Sequence, residues 1–511
     1  MVDLIYNNSE NVESCQDKTK EQVLDGLLSK VGYGIFHKKL LILCGLGWLA
    51  DNMWLQTIAI VLPRVQGKLK HTCICLYLPS LIEHYSISDN LIGILSSSLF
   101  AGMTFGAFFW GTYSDAKGRR VPYTMTLLIT SVFGTLSSFT FNFFTLCLCL
   151  FFLGFGVGGN MPTDGALYLE FLPKEYHYLL TFMSVFFSLG AVLASVFGYV
   201  ILPCEGPCDD NRWRMMLFVI AMMTFFMLAI RTFLLKLPET PKFLMNQGKT
   251  NETIIVLQDI ARMNGGHVHI DKDDLSTSVA CEGYEELHDT TDEVSPMLLE
   301  AQDEADKQEK STQALKELLG PKWRKTTLLI WLIWTFTSVA YTMFNVFLPK
   351  FLETVQSEEA KPTLAEVYWD YLIYSLAGMP GSVIASYLVE TSFGRKGTMA
   401  ISAIGSSLSL LVFSVFKARL IMVLSSSSVS FLATLLYAVI YGYTPEVFNT
   451  SVRGTAVGTA SALGRVAGII SPLLAGLLFI VNTSLPLYVS VGGYLIVGVC
   501  ILMLPFETRR K

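Results

Sequence analysis

Twelve stretches of this chain, each about 20 residues long and almost free of charge, constrain its fold more than any other feature. That is the length an α-helix needs to cross the hydrocarbon of a bilayer. Lipid offers the backbone no hydrogen-bond partners, so each run must satisfy its own N–H and C=O groups as a helix. The runs fall at 40–63, 91–113, 121–141, 145–168, 179–202, 214–235, 326–349, 368–389, 397–416, 420–443, 455–480 and 485–505. Composition agrees: 15% of residues are charged, where a soluble domain carries about a quarter. The sequence therefore predicts an all-α membrane protein of twelve transmembrane helices.

The charges crowd outside these runs. Residues 1–39 are polar, with no apolar core of the signal-peptide kind, so the first helix acts as its own insertion signal. Residues 245–320 form the one long hydrophilic linker and divide the helices six and six, giving a first bundle at 40–244, a second at 321–506 and a tail at 507–511. The linker's middle, Glu282 to Glu309, is acidic and poor in aromatics, as solvated segments are, and Ser311 to Leu319 can form a short amphipathic helix. Lys38, Lys39, Lys117, Arg119, Arg120, Lys174, Arg395, Lys396 and Arg453 gather on one side, which places both termini and the linker in the cytoplasm. Cys204 and Cys208 share a short loop on the other side, where a disulfide can form. Gly-Gly-His-Val-His at 265–269 lacks the further ligands a metal site needs, so no metal is expected. No P-loop and no soluble-enzyme constellation is present, which argues against an enzyme and against ATP-driven pumping. Neither a cofactor nor a nucleic-acid partner is expected.

The two halves repeat each other. Gly-Thr-Tyr-Ser-Asp-Ala-Lys-Gly-Arg-Arg (111–120) follows the second run, and Glu390-Thr-Ser-Phe-Gly-Arg-Lys396 follows the eighth. Their glycines lie 394 − 118 = 276 positions apart, and Glu446 lies 446 − 170 = 276 positions after Glu170. Two independent landmarks with one offset indicate parallel six-helix repeats, a known transporter architecture.

These residues resemble the major facilitator superfamily. The 111–120 segment is similar to its loop signature, and Gly154-Phe-Gly-Val-Gly-Gly159, Glu170 and Pro238-Glu-Thr-Pro-Lys-Phe-Leu244 resemble its sugar-porter-type branch. Glu446, Arg453 and Gly454 look like the matching second-half signature. Gly32-Tyr-Gly-Ile-Phe36, Gly47-Trp-Leu-Ala-Asp51 and Gly158-Gly-Asn-Met-Pro-Thr-Asp164 resemble the synaptic-vesicle-glycoprotein-related subgroup, including its fungal and protist members. The resemblance implies the major facilitator fold and transport of a small solute in a plasma, organellar or vesicular membrane. It leaves the solute open, because Leu150 and Trp54 stand where relatives carry an arginine and an acid.

A charge at membrane depth costs about 2.5–3.5 kcal/mol on insertion scales, so such residues face the interior. Asp51, Asp164 and Arg465 are of this kind. In one reading the acids carry a coupling proton or cation and Arg465 is counter-charge or anion ligand. In the other, Arg465 neutralises one aspartate permanently and fixes packing. Arg231, near the end of the sixth run, can snorkel to the interface. Gln56, Tyr341 and Asn345, with Trp54, Trp369, Asp370 and Tyr374, can line a central site or anchor at the interface. The signature charges suit a gate: Asp115, Arg119 and Arg120 against Glu170, and Glu390, Arg395 and Arg453 around Glu446, in pairs that break when the halves rock. Solvated positive-inside charges are the alternative, and the repetition favours the gate. Gly102 with Gly106, Gly154 with Gly158, and Gly464 with Gly468 permit close helix approach.

Residues 67–80 stand apart. Leu62-Pro-Arg-Val-Gln66 resembles the family's end of the first span, yet an apolar run from Cys73 to Leu81 follows in an exterior loop. It is either a real interfacial insertion or a retained intron, since Gly-Lys-Leu can be encoded with an intron-donor-like GTAAGT.

Overall fold

The computed structural model of the chain describes residues 23–72, 89–203, 211–234, 237–266, 315–354, 363–389, 391–448, 450–505 and 507. Twelve long helices cover the twelve apolar runs. In the first half they are α1 (Ile35–Thr72), α2 (Asp89–Lys117), α3 (Arg120–Ser138), α4 (Phe143–Phe171), α5 (Ser184–Ile201) and α6 (Arg212–Phe233). In the second they are α7 (Arg324–Thr354), α8 (Leu364–Leu388), α9 (Gly394–Val415), α10 (Arg419–Val447), α11 (Thr450–Val481) and α12 (Leu485–Leu502). Among the described residues, nine of these are long and apolar enough to cross a membrane by length and composition alone. The more polar α3 hides its hydroxyls: Thr126, Thr130 and Ser131 are buried, and each donates to a carbonyl one turn back in its own helix.

Close backbone approach joins α2 to α4 within the first half. A Cβ on Gly102 would stand 1.9 Å from the Phe151 carbonyl oxygen, and one on Gly106 2.1 Å from that of Phe155. Gly154 and Gly158 reciprocate against Leu99 and Met103, at 2.2 and 2.0 Å. The two small-residue pairs thus form one crossing, with no room for a side chain at any of the four positions. Gly464 and Gly468 are in ordinary contact with α7 and α2 instead.

Three features differ from the sequence reading. The fifth run is broken, Tyr178–Phe182 preceding α5. The N-terminal segment is not wholly polar in packing: residues 23–31 are helical, and Leu24, Leu27, Leu28 and Val31 (spacings of three and four) are buried. They share a core with Ile254, Leu257 and Ile260 of the linker helix Thr250–Met263 and with Phe36, Leu40 and Phe171 of α1 and α4. The linker's first part therefore belongs structurally to the first bundle. Asn264, at the end of its helix, donates to the Gly32 carbonyl and accepts from the Phe36 N–H, both within 3.1 Å. α1 also continues as helix to Thr72, into the anomalous stretch. Residues 73–88, Cys204, Cys208, His267, His269 and the acidic middle of the linker lie outside the described residues.

The halves touch unequally. α2 packs on α11, α5 on α8 and α1 on α7. At one end of the first pair a Cβ on Gly93 would stand 2.3 Å from the Pro472 carbonyl oxygen. Gly111 is 111 − 93 = 18 positions along α2, and Gly454 is 472 − 454 = 18 positions back along α11. Eighteen residues make about five whole turns, so each glycine lies on the same helix face as its contact residue. Yet among the described residues a Cβ on Gly111 or Gly454 would meet nothing within 4 Å. The two helices meet away from the signature loops and part towards them.

Candidate functional site

Where the halves meet, polar side chains converge. Gln56 of α1 is buried, and its Oε1 accepts from Asn345 Nδ2 of α7 (3.3 Å) and from the Tyr371 hydroxyl of α8. Gln56 Nε2 donates to Asn52 (3.1 Å), and the Tyr374 hydroxyl donates to Asn345 Oδ1 (2.9 Å). Tyr341 lies beside Gln56 and Tyr374 and packs edge-on against Tyr437. Ser195 of α5 meets Ser375 of α8 at 2.6 Å, and Ser97 of α2 donates to the Ile469 carbonyl of α11 at 2.8 Å. Of the sequence candidates, Gln56, Tyr341, Asn345 and Tyr374 are brought together here. Tyr371 was missed, although Tyr371, Tyr374, Ser375 and Gly378 carry the spacing of one helix face.

Three other candidates lie elsewhere. Trp54 is buried inside the first half, donating its indole N–H to Thr224 at 3.0 Å. Trp369 is 47% exposed beside Tyr199. Asp370 is taken by Arg419, whose Nε and Nη2 reach its two oxygens at 3.1 and 3.0 Å, while Nη1 bonds Glu366.

The buried charges sort differently from the sequence expectation. Asp164 pairs with Arg231, and both side chains have no exposed surface. Arg231 does not snorkel. Its Nη1 donates to the Tyr123 carbonyl (2.6 Å), its Nε and Nη2 donate to that of Leu43, and its guanidinium lies 3.9 Å from the Tyr123 ring centre. Arg231, not Arg465, neutralises Asp164. Gly47 makes the room, since a Cβ there would stand 2.0 Å from Asp164 Oδ2.

Asp51 is buried too but meets no cation directly among the described residues. Asn160 Nδ2 donates to its Oδ1 at 2.7 Å, while its Oδ2 has no hydrogen-bond partner among the described residues. It lies within electrostatic reach of Asp164, Arg231 and Arg465. A carboxylate with one free oxygen, solvated by a single amide, is poorly stabilised as an anion.

The loop signatures form matching frames. Arg119 bonds Asp115 (2.8 Å) and Glu170 (3.0 Å), and Arg395 bonds Glu446 through Nη2 at 3.0 Å. Glu239 accepts from the backbone N–H groups of Arg119 (2.8 Å) and Arg120 (3.4 Å), and Glu507 does the same for Arg395 (3.0 Å) and Lys396 (3.1 Å). Both loops turn on a glycine of positive φ, Gly118 (+99°) and Gly394 (+62°), a conformation a Cβ disfavours. Glu239 and Glu507 were missed, though Glu239 sits in the Pro238-Glu-Thr-Pro motif. The Arg120 side chain is exposed. Glu390 lies outside the described residues, as does the side chain of Arg453. Each of these pairs lies within a single half, so a rigid rocking of the halves leaves it intact. That revises the expectation that they must break.

Twelve helices in two matching sets of six, with a buried polar centre between them, define a multi-pass membrane protein of the paired-bundle class. A family model described as Major Facilitator Superfamily matches residues 69–389 and 357–511, and the chain belongs to that family. It is 30% identical to an uncharacterized MFS-type transporter of Schizosaccharomyces pombe, over 96% of this chain and 89% of the relative. It is 27% identical to the synaptic vesicle 2-related protein of Bos taurus, over 96% of this chain and 82% of that one. Among solved structures, the xylose transporter XylE from E. coli in a partially occluded inward open conformation matches with a TM-score of 0.68 and 15% identity. That match covers 93% of this chain and 99% of XylE. At that identity the likeness concerns the fold.

Proposed function

We propose that this protein is a secondary transporter that moves a small organic solute by alternating access, coupled to protons at Asp51. The observation that carries the reading is the asymmetry of α2 and α11. Their facing surfaces close at Gly93 and Pro472 and stand open five turns away at Gly111 and Gly454. The positive-inside bias makes the open side cytoplasmic. Rocking the halves about the polar centre would close Gly111 on Gly454 and part Gly93 from Pro472. The Asp115–Arg119–Glu170 and Arg395–Glu446 frames hold the loops of each half rigid during that motion, with Arg120 next to the first of them. Gln56, Tyr341 and Asn345 bridge α1, α7 and α8 and would exchange their mutual hydrogen bonds for bonds to the solute. Asp51 takes up the proton, because neutralisation removes the cost of its unpartnered oxygen.

A solute screen in proteoliposomes tests this. Accumulation that collapses with a proton uncoupler supports the reading. Uptake indifferent to the uncoupler indicates a facilitator, and the absence of any uptake a receptor on the same fold. A bulky residue at Gly111 supplies a sharper check. Gly111→Trp fits the open space of this state but not the closed one. It should keep solute binding and lower transport by about tenfold or more, as a shift of over 1.4 kcal/mol towards the open state requires. Normal transport by Gly111→Trp would remove α2–α11 closure from the cycle.

A further inference from the structure

Several arginines of this protein bond carboxylates. Arg119, Arg231, Arg395 and Arg419 each do so. Arg465, in the middle of α11, is the exception among the membrane-depth arginines. Its one hydrogen bond among the described residues runs from Nη1 to the Met103 carbonyl of α2, at 3.3 Å, and it forms no salt bridge with a described residue. A guanidinium has five N–H donors in a rigid fork, so most of its donor capacity is unspent.

Its position says what could use that capacity. Arg465 lies 465 − 458 = 7 positions from Gly458 and 465 − 454 = 11 from Gly454, about two and three turns along one face. Among the described residues, a Cβ on either glycine would meet nothing within 4 Å. On its other side Ile469 and Pro472 are sealed against Ser97 and Gly93. Arg465 therefore stands at the floor of the cleft, where contact between the halves begins. Tyr441 of α10 is within electrostatic reach, is 52% exposed, and packs edge-on against Trp334 at 4.8 Å. Asp51 is also within electrostatic reach but unpaired with it.

We propose that Arg465 is the ligand of an anionic group on the solute, the carboxylate of a small organic acid that enters from the signature side and lays its organic part against Tyr441. This inference rests on the transport reading and names its substrate class. A fork of parallel N–H donors matches a carboxylate in two bonds. One positive charge balances one carboxylate. The other buried arginine at membrane depth, Arg231, is already committed to Asp164, so a second negative charge on the solute would find no counter-charge there. The same arrangement couples the solute to the proton. An ionised Asp51 and a bound carboxylate near one guanidinium repel, so the acid binds best when Asp51 is protonated. One proton and one anion then travel together.

Thermal stabilisation of the purified full chain tests this apart from transport. The probes are acetate, lactate, benzoate and indole-3-acetate, each against its primary amide, at millimolar concentration below and above neutral pH. At least one acid should raise the melting temperature while its amide does not, and the shift should be larger at the lower pH. Arg465→Gln should weaken that acid by about tenfold or more, the loss of a charged hydrogen-bond partner, and Arg465→Lys should recover part of it. Both variants should melt like the unliganded parent. No stabilisation by any of the four acids, equal stabilisation by an amide, or undiminished binding to Arg465→Gln would overturn the proposal. Acid binding without any uptake would instead sink the transport reading and leave the anion site standing.

Discussion

Replacing Arg231 by methionine is expected to destabilise the protein by about 3–5 kcal/mol, because it strands a buried carboxylate. Asp164 and Arg231 both have no exposed surface, and the guanidinium also serves the carbonyls of Leu43 and Tyr123. Removing it leaves those acceptors unmet as well as Asp164 charged and alone, so the loss falls at the upper end for a single substitution. Asp164→Leu should be destabilising for the mirror reason. The double variant Asp164→Leu/Arg231→Met should be milder than the sum, since an apolar pair carries no stranded charge. Melting of the purified variants in detergent reads all three. Single variants as stable as the parent would show that the pair is not what holds α4 to α6 and α1.

Asp51→Asn is expected to abolish proton-driven accumulation while sparing exchange of solute across the membrane. The substitution keeps the oxygen that accepts from Asn160 and the side chain's volume, so the local fold is retained. What it removes is the ability to gain and lose a proton in each cycle. A carrier that cannot release its proton can still return loaded, which is why exchange survives. Counterflow and accumulation measured on the same proteoliposomes separate the two. Undiminished accumulation by Asp51→Asn would move the coupling site elsewhere.

How far residues alone led is clear from these two aspartates. Apolar length and the 276-residue repeat placed every spanning helix and both signature loops, because each helix must close its hydrogen bonds locally. The same local signal marked Asp51, Asp164 and Arg465 as buried charges. Which charge meets which was not legible. Asp164 and Arg231 are 67 positions apart, and their meeting depends on how α4, α6 and α1 rotate. Arg231 was misjudged because its distance from a helix end is visible in sequence, while the gap left by Gly47 is not. Glu239 and Glu507 were missed for a related reason. Each reaches its loop over more than a hundred residues; the Pro238-Glu-Thr-Pro motif marks Glu239 without showing what it meets, and no local pattern distinguishes Glu507 from a solvated acid. The central cluster was half legible. Gln56, Tyr341 and Asn345 stand out as polar residues in apolar runs, but Trp54 and Asp370 do so equally and are spent on partners within one half.

Alternating access in this protein requires motion of α2 against α11, and distances between spin labels measure that motion most directly. Labels at Thr112 and Val457, on the signature side of the two helices, leave Gly111 and Gly454 free to close. In a background without native cysteines, pulsed electron resonance should find two distances for this pair in membranes. The shorter population should grow when solute and protons are supplied, while a pair near the Gly93–Pro472 end lengthens in step. One unvarying distance at both ends, under conditions where solute demonstrably binds, would contradict alternating access in this protein.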